Sequence, residues 1–221
     1  MSKYLTAPLP SEKMPRGIPH ILTNETFERF SFYGTRAILI VFMTEYQMGS
    51  GGMLNVMSGD KAKAFAHLFI AVTYFTPILG SMISDIWLGK FKTIIIFSVI
   101  NCLGVLALVA DQTRMGLTAG LVLIAIGSGF IKPCVAANVG DQFGKHNKHL
   151  MEKVYGWFYM SINFGAFFSY LLVPWLLDKC GPRVAFSVPA VSMLLATGAY
   201  WMGQKRFRIL VRMSWLRLRI L

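Results

Sequence analysis

Two glutamates and two arginines stand in the stretch Asn24–Leu39, NETFERFSFYGTRAIL, which is otherwise apolar enough to enter a membrane. Ionisable groups at bilayer depth are costly, so they face a cavity or one another and mark places where charge or protons are handled. At about 100° per residue, Glu25, Glu28, Arg29, Phe32, Tyr33 and Arg36 fall within about 140° of arc, one polar stripe on a helix. A local pair between Glu25 and Arg29, four residues apart, accounts for two of the four charges and leaves two. Arg29 lies one turn inside the apolar stretch, within reach of the interface by snorkelling. Arg36 lies about 10 Å deeper along the axis, beyond that reach.

A third cation, Lys132, sits in GSGFIKPCVAANVGDQF immediately before Pro133. The proline removes a backbone donor, which opens that turn toward a wet cavity. Glu25 or Glu28 is the expected countercharge of Lys132. With Arg29, Arg36 and Lys132 set against two glutamates, the intramembrane count is one positive charge in excess, and a proton on one glutamate raises it. These residues suit proton-linked binding of a ligand that carries a carboxylate.

The elements that must position them are membrane helices. The chain has 221 residues, 55% hydrophobic and 14% charged, with mean hydropathy +0.54, which excludes an ordinary soluble domain. Six apolar stretches approach the ~20 residues a helix needs to span the bilayer: 27–46, 64–86, 91–110, 116–139, 154–177 and 184–202. No ten-residue alternation of a barrel strand appears, so the expected fold class is an all-α membrane bundle of six transmembrane helices. Pro77, Pro133, Pro174 and Pro189 fall inside stretches where membrane helices tolerate them.

The net charge of +12 does not indicate nucleic acid, because the basic residues follow the loops. With both termini cytoplasmic, fourteen Lys and Arg lie on the inner side and five on the outer, as the positive-inside rule requires. Pro8, Pro10, Pro15 and Pro19 interrupt the start, where no apolar signal-peptide core is visible. Cys102, Cys134 and Cys180 lack CxxC spacing and read as packing residues. His146 and His149 have no third ligand nearby, so no metal is expected. GSG at 127–129 lacks the strand and lysine of a nucleotide loop, and no HExxH or GxSxG motif suggests an enzyme. Phe65 and Phe69 read as lipid or core contacts.

ETFERFSFYG resembles the ExxERFxYYG stretch in the first helix of the proton-dependent oligopeptide transporters, a branch of the major facilitator superfamily. GSMISDIWLGKFKTI (80–94) is similar to that family's loop between helices two and three, and YGWFYMSINFGAF (155–167) to its fifth-helix signature. The Lys-Pro of the fourth stretch, followed by GDQF, is a further match. The resemblance implies a di- and tripeptide symporter of the cell's plasma membrane, coupled to protons and without other cofactor. By position it implies Glu25, Glu28, Arg29 and Lys132 for proton coupling, with a Lys132 salt bridge that makes and breaks. It implies Arg36, Lys132, Tyr33, Asn163, Tyr74 and Tyr159 for the peptide, and Asp85 with Lys90 for a cytoplasmic gate. Phe32 stands where the family more often has a tyrosine, so one hydroxyl is missing. Without the resemblance, Asn163 with Gly165 reads as small-residue helix packing.

The expected organisation is a cytoplasmic segment 1–24, a six-helix bundle 25–203 and a basic tail 204–221. Transporters of this superfamily rock two halves around a midplane site, and the chain supplies one. RILVRMSWLRLRIL at the end reads as the tail of a frameshifted or truncated product, or as an amphipathic segment on anionic lipid. The expected partners are peptides, protons, lipid and a C-terminal half-transporter; the other reading is a non-transporting fragment with a structural or regulatory role.

Overall fold

Five α-helices, and no strand among the described residues, make up the computed structural model, which describes residues 11–49 and 51–207. Helix α1 (Ile18–Val41) begins earlier than the apolar stretch that announced it. Pro19 in its first turn presets a helical φ, and Ile18 and Ile21 are fully buried, so part of the segment expected to precede the bundle belongs to it. The helix continues through a π-helical turn, Phe42–Tyr46.

Helix α2 (Gly59–Ile83) also ends in a π-helical turn, Ser84–Leu88, closed by Gly89 at φ 76°. That left-handed backbone suits glycine and turns the chain into α3 (Lys90–Ala110). Helix α4 (Arg114–Asp141) is capped by Thr113, whose Oγ1 accepts the Gly116 N–H at 3.4 Å.

Helix α5 (Met151–Met202) contains the last two apolar stretches. Gly181 breaks it at φ 81° and ψ 175°, and Pro182 follows. Val173 and Pro189 flank that break, and a straight helix would hold them about 24 Å apart. Yet a Cβ on Gly34 of α1 would meet Val173 Cγ2 at 2.9 Å and Pro189 Cγ at 3.4 Å. Helix α5 is therefore a hairpin whose two arms both reach α1. The last two of the six expected stretches are the two arms of this hairpin, joined at Gly181 into one continuous element. Among the described residues, four helical segments are long and apolar enough to cross a membrane: Gly59–Leu88, Lys90–Ala110, Arg114–Asp141 and Lys148–Lys205. Helix α1, with its four ionisable residues, is not among them.

The buried side chains form two apolar cores stacked along the bundle. One gathers Ile38, Phe42, Leu117, Ile124, Val173 and Phe186; the other gathers Ile21, Ile94, Ile131, Val139, Met193 and Tyr200. Each helix other than α2 contributes to both. On α1, α4 and α5 the changeover falls at the same level, and there the buried residues are polar: Asn24, Glu25, Glu28 and Arg29, with Ser128 and Ser192. Small residues let the helices close around this layer. Gly104 and Gly120 sit face to face, each leaving its partner's backbone oxygen 2.9 Å from where a Cβ would stand.

Candidate functional site

The polar layer is organised by α1. Arg29, 3% exposed, bonds Glu28 and also places its Nε 3.2 Å from Glu25 Oε1. The other oxygen of Glu28, Oε1, accepts the Ser128 hydroxyl of α4 at 2.7 Å. Asn24 donates its side-chain amide to the Ala196 carbonyl at 3.0 Å, and Ser192 donates to the Phe27 carbonyl at 2.8 Å. Both bonds tie α1 to the second arm of α5. A charged trio is thus sealed in apolar surroundings with its charges paired to one another, as buried charge requires.

Lys132 is exposed, with its Nζ 4.7 Å from the centre of the Tyr74 ring, within cation–π range. No carboxylate lies within 4 Å of it among the described residues. The salt bridge expected for Lys132 is therefore not formed here: Arg29, only one turn from Glu25 and adjacent to Glu28, takes both carboxylates, and the α4 contact to Glu28 comes from Ser128.

The remaining residues divide clearly. Tyr33 and Arg36 are half-buried; Tyr33 interacts with Arg36 and Tyr74, and its ring lies 5.8 Å from Tyr170. Together with Lys132 they form an open polar face with cations and phenols at short range. Phe32 is 5% exposed, its ring 5.5 Å from Tyr33 and 5.9 Å from Phe69, so a hydroxyl there would be buried. Phe65 is exposed, on an apolar cleft lined also by Leu68, Phe69 and Val122.

Tyr159 and Asn163 are both exposed, Tyr159 by 67%. Asn163 donates to the Tyr159 carbonyl of its own helix at 2.8 Å and holds no neighbouring helix. The packing expected of this pair falls to Gly165 alone, where a Cβ would stand 2.4 Å from the Thr26 carbonyl oxygen. At the other end of α2, Lys90 pairs with Asp141 at 2.6 Å across to α4, while Asp85 is exposed. Among the described residues Asp85 has no ion-pair partner within 4 Å.

Sequence reasoning missed Ser128, Tyr170 and Asp141. Ser128 lies in the GSG discounted as a nucleotide loop, and Asp141 in the GDQF that served only as a family match. Among the described residues no group of three metal-ligating side chains comes together. The tail beyond residue 207 lies outside the described residues.

A family model described as POT family matches residues 91–212. Solute carrier family 15 member 2 from Mus musculus is 37% identical over 222 residues, covering 93% of this chain and 29% of the relative. The POT family transporter PepTSo, in an in meso crystal structure, is 42% identical at a TM-score of 0.81, over 88% of this chain and 38% of its own. A mutant peptide transporter POT crystallised in complex with alafosfalin superposes at a TM-score of 0.83 with 25% identity, over 99% of this chain and 45% of its own. The chain thus spans under a third of that curated relative and under half of those solved structures.

Proposed function

The chain belongs to the POT family, and from that premise we propose that it forms the proton-handling and peptide-binding wall of a proton-coupled symporter for di- and tripeptides. Its relatives are transporters rather than enzymes. The observation that carries the reading is the sealed Glu25–Glu28–Arg29 trio beside an open face bearing Arg36, Tyr33, Tyr74 and Lys132.

Each group has a task in this reading. Arg36 and Lys132 offer positive charge to the peptide carboxylate, with Tyr33 and Tyr74 lining the pocket. Asn163 and Tyr159 stand toward the amino end. Glu25, which keeps only one ion-pair contact, at 3.2 Å, is the carboxylate assigned to the proton, while Glu28 is bonded at both oxygens. A proton on Glu25 removes one countercharge of Arg29 and loosens the layer that joins α1 to its neighbours. Lys90, with Asp85 near by in sequence, closes the cytoplasmic end through Asp141. The arms of α5 count as two crossings, giving six with α1, and the charge bias puts both termini in the cytoplasm at the plasma membrane. A second bundle, packed on the open face, completes the site and lets the halves rock.

The test is uptake of a labelled dipeptide into proteoliposomes in which this chain is co-reconstituted with a C-terminal half-transporter, with and without an inward proton gradient. Gradient-dependent accumulation is expected, and Lys132→Ala should abolish it. Accumulation that survives unchanged without Lys132 sinks the assignment. A second reading, a non-transporting helical partner, is favoured by the exposure of Lys132, Tyr74, Tyr159 and Asn163. It predicts no gradient-driven uptake in that preparation, although the two halves associate.

A further inference from the structure

Three consecutive residues of α4 face three different helices. A Cβ on Gly127 would stand 2.7 Å from Asn101 Cβ and 2.8 Å from its backbone nitrogen on α3. One on Gly129 would stand 1.8 Å from Thr76 Oγ1 on α2. Between them Ser128, 1% exposed, aims its hydroxyl at Glu28 Oε1 on α1. Successive helix residues point about 100° apart, so α4 touches a neighbour on either side of Ser128 at distances that leave no room for a side chain. The rotation of α4 about its axis is fixed by those two contacts, and with it the direction of the hydroxyl.

We propose that Ser128 is a positioning residue for Glu28: its hydroxyl holds the carboxylate against α4 and sets how readily Glu28 takes up a proton. This rests on the reading of Glu28 as part of the proton-handling layer. A hydroxyl can give its single proton to an ionised carboxylate, and an O–H donated to the charged form favours that form. Arg29 supplies the second bond at Oε2. The bond also links α1 to α4 across a sequence separation of 100 residues, so protonation of Glu28, which weakens its acceptance, loosens that contact.

The charged and titratable groups around Glu28 are Glu25 and Arg29 on its own helix, Lys132 on α4, and Tyr33 and Tyr74 farther along the open face. The first arm of α5 brings Gly165 and the second brings Ser192, neither of which titrates. Removing the Ser128 hydroxyl leaves these charges where they are and deletes one donor.

The test is infrared difference spectroscopy of the full chain in lipid, following the protonated-carboxyl stretch of Glu28, assigned by its loss in Glu28→Gln. In Ser128→Ala the protonation midpoint should rise by about one pH unit, the size expected from losing one hydrogen bond to a charged group. Ser128→Thr, which keeps the hydroxyl, should hold the midpoint near wild type. Where its extra methyl prevents folding, judged by thermal melting, Ser128→Cys replaces it, and its weaker donor should give an intermediate shift. An unchanged midpoint in folded Ser128→Ala overturns the proposal, as does an equal shift in the variant that retains a donor. Glu28 failing to titrate anywhere in the stable pH range overturns it too. The measurement needs no transport, so a chain that shows the shift but takes up no dipeptide even with a C-terminal half co-reconstituted would refute the transport reading while leaving the role of Ser128 intact.

Discussion

Replacing Arg29 with leucine removes the cation bonded to both Glu25 and Glu28 in a layer only 0–3% exposed. Each carboxylate must then stay charged in apolar surroundings or take up a proton, and the second route bounds the loss. Starting from the ordinary glutamate value near 4.3, holding one carboxyl protonated costs about 3.7 kcal/mol at pH 7 and about 1 kcal/mol at pH 5. Glu28 keeps the Ser128 hydroxyl. The net destabilisation at pH 7 should therefore fall in the range of roughly 3–5 kcal/mol seen when one partner of a buried pair is removed. At about 2–4 °C per kcal/mol for a chain of this size, the melting temperature should drop by roughly 10 °C at pH 7 and by only a few degrees at pH 5. The assay is thermal unfolding in detergent at both values. The neutral variant Glu25→Gln/Glu28→Gln/Arg29→Met should recover most of the loss, because it leaves no uncompensated charge. A drop of equal size at both pH values, or none at either, would refute the reasoning.

Gly165→Ala should lower stability by about 1–3 kcal/mol, because its methyl would stand 2.4 Å from a backbone oxygen of α1 that cannot rotate away. Gly156→Ala on the same helix meets nothing within 4 Å and should gain up to about 1 kcal/mol of helix propensity. Opposite signs in melting experiments are expected, and matching signs contradict the packing account. The Thr113 backbone N–H bonded to Asp111 at 2.9 Å holds that carboxyl below its ordinary range. A depressed carboxylate adds stability above its unfolded value and loses it as pH falls through the folded one. Asp111→Asn should therefore melt slightly earlier at neutral pH, with the difference closing in acid. A difference that widens in acid counts against it.

The class of fold and the polar stripe of α1 were legible in the sequence because both follow from local periodicity. Helical spacing alone puts Glu25, Glu28 and Arg29 on one side of α1, and the structure keeps them together. Partners from other helices were not legible in the same way. Lys132 was the natural countercharge on α4 by charge alone, but a serine four residues earlier reaches Glu28, because the rotation of α4 is set by glycine contacts to α2 and α3. Phe32 shares the stripe within one helix turn and yet packs in the core on Phe69, a neighbour that one helix's periodicity does not show. The break at Gly181 was legible, because the apolar stretches 154–177 and 184–202 leave a short polar gap around it.

The charges also divide by depth, and the division bears on coupling. The buried trio holds two carboxylates and one guanidinium, so it carries one negative charge in excess, while Arg36 and Lys132 stand on the open face without a carboxylate within 4 Å among the described residues. By charge alone, a cation on that face favours the ionised form of a carboxylate in the layer behind it. On the proposed reading, a peptide carboxylate arriving at Arg36 and Lys132 neutralises the same field, which makes Glu25 readier to accept a proton. Binding free energies are reciprocal, so a proton on Glu25 must strengthen peptide binding by the same factor. The coupling then needs no direct contact between peptide and glutamate, only a shared cation. Lys132→Ala removes that cation, so it should uncouple uptake from the proton gradient even where some peptide still binds through Arg36.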